Sequence, residues 1–441
     1  MRISSTMMSN NYLKQLNGTY EQYSKLMEQA DGSKLHRASD NAVGYSKYLR
    51  YQNNQISNEQ YQSNVSTASS WMKNADAALV NVTDLLQTFK AKVEQGSNST
   101  NNESDMKDIA KELLANVQEQ VADLNTQIGD RFLFAGQKDT TMPFEISSDK
   151  MSRGDTFTLD EKQSAFFSGA TGWGAENTTV KQMLKLNGDD GNGYYMNVNT
   201  GDVYTEDFVK NGYKNEDKFD PAKQRVGNIT AITDPPTAYK VSDHFDQYGV
   251  IKTDAGVGTN AKYNVTVDGK QVNLKLSTTK QYIVKYAGDD KYISMVKKNG
   301  GVDKATDTVN VTGQDINGCD LFDVGNDPHS GTARLNQLLY TVAKMDAADY
   351  KWAGEQGMTI ADSAHATVLG AQTKMAARQQ AYNSSSSMLV TQNESITSDI
   401  SDVSSTDVAQ LATKLMEYQT IYSLSLSVGS KILPGTLADY L

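Results

Sequence analysis

From Tyr61 the apolar and small residues run Val65, Ala68, Met72, Ala75, Leu79, Val82, Leu86, Phe89 and Val93, in steps alternating four and three. That is heptad spacing, which keeps one seam facing a partner helix. At ~1.5 Å per residue it predicts a helix about 50 Å long. Gly96 and the polar run Ser97 to Asn102 end it. A second seam, Ala110, Leu114, Val117, Val121, Leu124 and Ile128, closes at Gly129, so the two read as an antiparallel hairpin. A third stripe, Leu13, Leu16, Tyr20, Tyr23, Met27 and Ala30, fills the N-terminal stretch. Near the other end Leu335, Leu338, Val342 and Met345 open a helix, and Ala364, Val368, Ala371, Met375, Arg378 and Tyr382 continue the pattern. Val408, Leu411, Leu415, Tyr418 and Tyr422 carry it nearly to the C-terminus. One stripe alone reads as a core helix; several of this length, confined to the two chain ends, read as an elongated bundle.

The middle alternates with period two instead. Tyr263, Val265 and Val267 lead to Asp268-Gly269, a type I′ turn, and Val272, Leu274 and Leu276 alternate back. Tyr282–Tyr286, Gly288-Asp289-Asp290 and Tyr292–Val296 read as a second hairpin, while the Gly, Asn and Asp density of 187–218 reads as loops. Proline placement agrees: all six, Pro143, Pro221, Pro235, Pro236, Pro328 and Pro434, leave 1–142 and 329–433 free of this helix breaker. The expected class is α+β, an elongated bundle of long coiled-coil-like helices from both termini with an inserted β-rich domain. The expected divisions are 1–35 with 405–441 as terminal assembly segments, 36–145 with 330–404 as the bundle, and 146–329 as the β-rich outer domain.

Composition narrows what such a chain does. Its 441 residues exceed one compact core, and a mean hydropathy of −0.57 fits extended rather than thick packing. A net charge of −11 argues against a nucleic-acid groove or an anionic membrane surface. The single cysteine, Cys319, cannot form an intramolecular disulfide and reads as a small buried hydrophobe. No apolar segment suits a Sec signal or a membrane span.

Catalytic and metal spacings fare no better. The four histidines, His36, His244, His329 and His365, are scattered, and Ser363 and His365 diverge on a helix. Neither Asn187 nor Asp189 starts an EF-hand loop, because Asn192 and Tyr194 stand where glycine is needed. Asp289-Asp290 reads as a turn, and Gly256-Val257-Gly258 lacks the rest of a phosphate loop. Neither an active site nor a cofactor or metal is expected.

The segment Gly32-Ser33-Lys34-Leu35-His36-Arg37-Ala38-Ser39-Asp40-Asn41-Ala42, with the Gln-rich stretch 52–64 after it, resembles the flagellin-type N-terminal signature. The opening Met1-Arg2-Ile3-Ser4 and the ending Leu437–Leu441 are similar to the hook-associated protein 3 family. So is Gly129-Asp130-Arg131-Phe132-Leu133-Phe134-Ala135-Gly136, in which Gly129, Phe132, Phe134, Ala135 and Gly136 carry the motif. Tyr286–Asp290 and Val311–Gly313 resemble that family more loosely.

The resemblance implies a structural subunit of the bacterial flagellum, an extracellular adaptor joining hook to filament. Its implied partners are hook-associated protein 1, flagellin and copies of itself in a ring or tube, with a flagellar export chaperone. It implies export through the flagellar type III channel, which replaces the inference from the missing Sec signal. Flagellin itself is the near alternative, and an adhesin-like protein acting through the middle domain the distant one. Leu13, Leu16, Tyr20, Tyr23 and Met27 are expected to pack with Leu411, Leu415, Tyr418 and Tyr422 and with neighbouring subunits. The segment 403–430 carries few charges and cannot alone bury enough apolar area to offset its ordering, and residues 1–35 and 405–441 are expected to be largely disordered in the free monomer and to order on assembly.

Overall fold

The structure is a computed structural model and describes residues 5–432 apart from 40, 169–179, 199, 230–243, 253–261, 268, 294–307, 319–320 and 322–330. The motif ends Met1–Ser4 and Leu437–Leu441, Tyr292–Val296 beyond Ile293, and Cys319 lie outside the described residues. The chain divides into two compact units, Met1–Ser66 with Asn383–Leu441, and Thr67–Tyr382.

Four long helices carry the larger unit's α part. Helix α2 (Ala42–Gly96) and α3 (Glu103–Leu124) form the expected hairpin, with Asn116 Nδ2 donating to Leu85 O at 2.9 Å. Asn102 caps α3 by a reciprocal bond with Asp105, which accounts for its sharp start. Helix α8 (Ala333–Asp346) packs on α3, and α9 (Met358–Ser404) runs antiparallel to α2, with Lys90 paired to Asp362. Close approach needs glycine here: a Cβ on Gly96 would meet the Met345 methyl at 2.3 Å. A turn with Ala348 at φ 56° and a π-helical stretch, Ala353–Gly357, join α8 to α9.

The β part begins earlier than 146 and shares the helices' unit. After α3 come β1 (Gln127–Ile128) and β2 (Arg131–Phe132), a hairpin turning at Gly129, where φ is 64°. Helix α3 therefore stops at Leu124, and Ile128 belongs to a strand. Next are β3 (Phe144–Ile146), β4 (Met151–Gly154), β5 (Thr156–Thr158) and α4 (Glu161–Ser168). The 187–218 stretch holds more than loops. Strands β6 (Gln182–Gly188), β7 (Gly193–Met196) and β8 (Asp202–Thr205) run through it, followed by α5 (Glu206–Lys210), α6 (Pro221–Gln224) and β9 (Gly227–Asn228). The glycines and acids there form the tight turns: Gly191 and Gly201 have φ of 82° and 70°, and Asp189 accepts from both nitrogens of Asn273.

Strands β10 (Lys262–Val267) and β11 (Lys270–Leu276) form the expected hairpin, Val267 opposite Lys270, with Gly269 at φ 79°. They complete an antiparallel sheet in the order β10-β11-β6-β7-β8-β9, with β5 also on β6. Adjacent residues face opposite ways, as the pleat requires. Leu184, Tyr194, Met196 and Val203 enter one core, and Met183, Tyr195 and Tyr204 enter another with Phe167.

Two strands follow, β12 (Thr278–Gln281) on β4 and β13 (Val284–Tyr286) on β3. The second expected hairpin is thus corrected: Tyr286 lies opposite Phe144. The physical reason is Asn336 of α8. Its Oδ1 accepts from Val284 N at 2.8 Å and its Nδ2 donates to Val284 O at 3.3 Å, standing in for a neighbouring strand. This buried bond joins the β part to the helices and explains why the units do not follow the divisions at 145 and 329.

Candidate assembly surface

The smaller unit is built on α1 (Ser5–Glu28) and the last helix, α10 (Val408–Ile432). After α1, a single 3-10 turn ends at Gly32, where φ is 96°. The chain then trades backbone bonds with the α9–α10 turn: Lys34 N donates to Ser404 O at 2.7 Å, and Thr406 N to Gly32 O at 3.0 Å. Asp407 Oδ1 accepts from Ala409 N and Gln410 N, satisfying donors at the start of α10. In this unit α2 and α9 touch through amides, Asn58 Nδ2 to Gln392 Oε1 at 3.3 Å and Gln62 Nε2 to Leu389 O at 3.3 Å.

Helices α1 and α10 are antiparallel. Their contact line on α10 is Leu411, Leu415, Tyr418, Tyr422, Ser425 and Gly429, buried or half-buried in steps alternating four and three. On α1 the half-buried line is Tyr12, Leu16, Thr19, Tyr23 and Leu26. The rings of Tyr23 and Tyr422 stack at 6.5 Å, and Tyr20 lies 5.8 Å from Tyr422. Tyr12 Oη donates to Ser425 O at 2.7 Å, and a Cβ on Gly429 would meet that hydroxyl at 2.0 Å. Tyr12 and Gly429 were not among the residues expected at this seam. Period alone cannot distinguish Tyr12 from Leu13, since either starts a three-four alternation.

That one-residue rotation corrects the expected stripe. Leu16 and Tyr23 face α10, while Leu13, Tyr20 and Met27, spaced seven apart, stand outward at 43%, 55% and 52% exposure. On α10, Ile421, Leu424 and Val428 likewise lie outside the seam. Both helices therefore present a second apolar stripe beyond their mutual contact. Within α10, Lys414 and Glu417 are the charges before Ser430, so the stripe offers apolar area rather than ion pairs.

In the larger unit, Met72, Leu79, Val82, Leu86, Phe89, Val117, Val121 and Leu124 are buried. Val65, which falls in the smaller unit, is half-buried, and so is Leu114. Leu113 is fully buried instead, because α3 packs against both α2 and α8 and its buried arc is wider than one seam.

The Phe-Ala-Gly motif is a buried joint. Phe132, Phe134, Ala135 and Gly136 are buried, while Gly129 is exposed at the β1–β2 turn. Tyr286 Oη donates to Phe134 O at 2.9 Å and accepts from Gly313 N at 3.3 Å, where α7 (Gly313–Asn317) begins. Asp289 N donates to Ala135 O at 3.0 Å, and Asp289 Oδ1 accepts from Gln137 N at 2.6 Å. Gly136 has φ 70°, and a Cβ there would meet Asp289 O at 2.1 Å. Three separated fragments singled out by resemblance thus converge on one phenol. Burial pushes that phenol well above its ordinary pKa, and burial also raises the Asp290 carboxyl, despite the hydrogen bond from Thr312 Oγ1. No group of metal-ligating side chains occurs among the described residues.

Residues 3–139 match the family described as the bacterial flagellin N-terminal helical region. Among curated proteins, a flagellin from Salmonella montevideo is 25% identical over 302 residues, covering 59% of this chain, and one from Salmonella moscow is 24% identical over 305. The chain spans 58% of the length of these relatives. Among solved structures, a flagellar hook-associated protein from Vibrio parahaemolyticus matches at TM-score 0.41 and 15% identity, covering 83% of this chain and all of that one. The flagellar junction protein FlgL from Legionella pneumophila matches at 0.34 and 12%, covering 76% of this chain and 98% of that one.

Proposed function

We infer that this chain, whose residues 3–139 match the bacterial flagellin N-terminal helical region, is a structural subunit of the flagellum and works as the junction between hook and filament. The observation that carries the structural reading is the pair α1–α10, which satisfies its own seam and still leaves Leu13, Tyr20, Met27, Ile421, Leu424 and Val428 to water. Fully burying such a side chain contributes about 1.5–3 kcal/mol, so lateral neighbours offering the same stripes would be held by several kcal/mol per subunit. A heterologous contact repeated around an axis gives a ring or tube. The Phe-Ala-Gly joint and its resemblance favour the junction role, with hook-associated protein 1 below and flagellin above. Export unfolded by the flagellar type III pathway, escorted by a chaperone that covers the apolar termini, fits the same stripes.

A second reading, a filament subunit, is favoured by the curated relatives being flagellins. One experiment separates the two. Purified chain is added to hook fragments already capped with hook-associated protein 1, and flagellin follows. The junction reading expects flagellin to polymerise only after the chain is added. Long filaments made of the chain alone would establish the filament reading instead.

A further inference from the structure

Methionine is placed differently in the two units. In Thr67–Tyr382, Met72, Met183, Met345 and Met375 are closed completely, and Met142 is the exposed one among the described residues. In the smaller unit every described methionine is exposed: Met7, Met8, Met27, Met388 and Met416. Met27 follows Leu13 and Tyr20 on the outward stripe of α1. Met416, beside the seam residue Leu415 of α10, stands outside the seam at 69% exposure.

A thioether sulfur in water is open to two-electron oxidants, whereas one closed into a core is shielded from them. With hydrogen peroxide the sulfur lone pair attacks one peroxide oxygen. The S–O bond forms as the O–O bond breaks, and the released hydroxide takes the proton from the transferred oxygen and leaves as water. The thioether is oxidised to the sulfoxide, and peroxide is reduced. The product is a polar, chiral group in place of a flexible apolar one. On the free chain its oxygen stays in water at these positions, so the fold is not disturbed. Against the apolar stripe of a neighbour the same oxygen would lose its water, which burial penalises.

We propose that Met27 and Met416 are sites of sulfoxidation by oxidants of the peroxide class, and that the modification blocks lateral packing of the free chain; the second half rests on the assembly reading. The full chain is treated with dilute hydrogen peroxide at pH 7, quenched with catalase and mapped by peptide mass spectrometry. It is then offered to hooks capped with hook-associated protein 1. Met27 and Met416 gain oxygen at least about tenfold faster than Met72 and Met375, the thermal transition is unchanged, and binding falls about tenfold. The double variant Met27→Leu with Met416→Leu, which still oxidises at Met142 and Met388, binds equally before and after treatment. Slow oxidation at Met27 and Met416, normal binding by the oxidised wild type, or an equal loss in the double variant would overturn the proposal. If the double variant itself binds poorly, methionine sulfoxide reductases acting on the oxidised wild type decide: binding returns as Met27 and Met416 lose oxygen, and no return refutes the idea. Untreated chain that ignores capped hooks would instead refute the junction reading. Sedimentation of the concentrated chain then decides, since treated and untreated samples that self-associate alike would overturn the block to packing.

Discussion

The two units treat apolar side chains in opposite ways. Among the described residues, sixteen of the twenty large hydrophobics that stand exposed belong to Met1–Ser66 and Asn383–Leu441, although that unit is much the shorter. Its buried apolar residues are few: Leu35, Leu389, Ile396 and Leu411. Thr67–Tyr382 does the reverse, closing Met72, Leu79, Phe89, Leu113 and Met375 completely. The same heptad spacing occurs in both units. What differs is how many sides of each helix are covered: α3 has a helix on two sides, while α1 and α10 cover one side of each other. A stripe left over in this way is the surface on which the proposed assembly contact relies.

Native-state hydrogen exchange on the monomer gives the sharpest break. Amides of α1 and α10 are expected to exchange orders of magnitude faster than those of α2 after Thr67, because helices with one packed face open at low free energy. Equal protection in both units would remove the distinction, and with it the idea of termini that order on assembly.

Paired truncations come next. Phe89→Ala, in a fully buried position, should cost the larger unit about 3–5 kcal/mol in denaturant unfolding. Leu13→Ala should change monomer stability by less than about 0.5 kcal/mol, yet weaken binding to capped hooks at least tenfold. A Leu13→Ala chain that binds normally would show that the outward stripe is not the assembly face.

Gly429→Ala sharpens the contact within the smaller unit. The added methyl collides with Tyr12 Oη, so α10 must shift at a cost of about 1–3 kcal/mol. Disulfide trapping between cysteines placed on α1 and α10 should slow in this variant and recover in Gly429→Ala with Tyr12→Leu. Unchanged trapping in the single variant would mean that the helices pair elsewhere.

The smallest effect is expected at Asp290. Burial raises its pKa in the folded state, so the folded chain binds more protons than the unfolded one just above the ordinary carboxylate value of 3.8. Stability from this group therefore falls as pH rises through that window. Asp290→Asn should flatten that slope and leave the exchange of α1 and α10 unaltered. A slope unchanged in the variant would assign it to other carboxylates.

Much of this was legible in the residue order. The α2 seam from Ala68 to Val93, the turn at Gly96 and the β10–β11 register follow from period and turn chemistry, which act over a few residues. The α1 face differs from the expected one by one position because Leu13 and Tyr12 fit the period equally, and Gly429 across the seam makes room for Tyr12. Strand β13 pairs with β3 because Asn336, about fifty residues away in sequence, supplies its other neighbour. Turn residues at 187–218 read as loops in the sequence because strands of four residues carry too little alternation to register.

Sequence alone determined the long helices, the β10–β11 hairpin and the apolar stripes at both chain ends, since propensity and periodicity are local properties. Tertiary structure decided which stripes are closed and which remain open. It also brought Phe134, Tyr286 and Gly313 to one point and buried Arg334 against the amides of Asn317 and Gln120. Burial is set by what lies opposite a side chain, and for these residues that is a segment far along the chain.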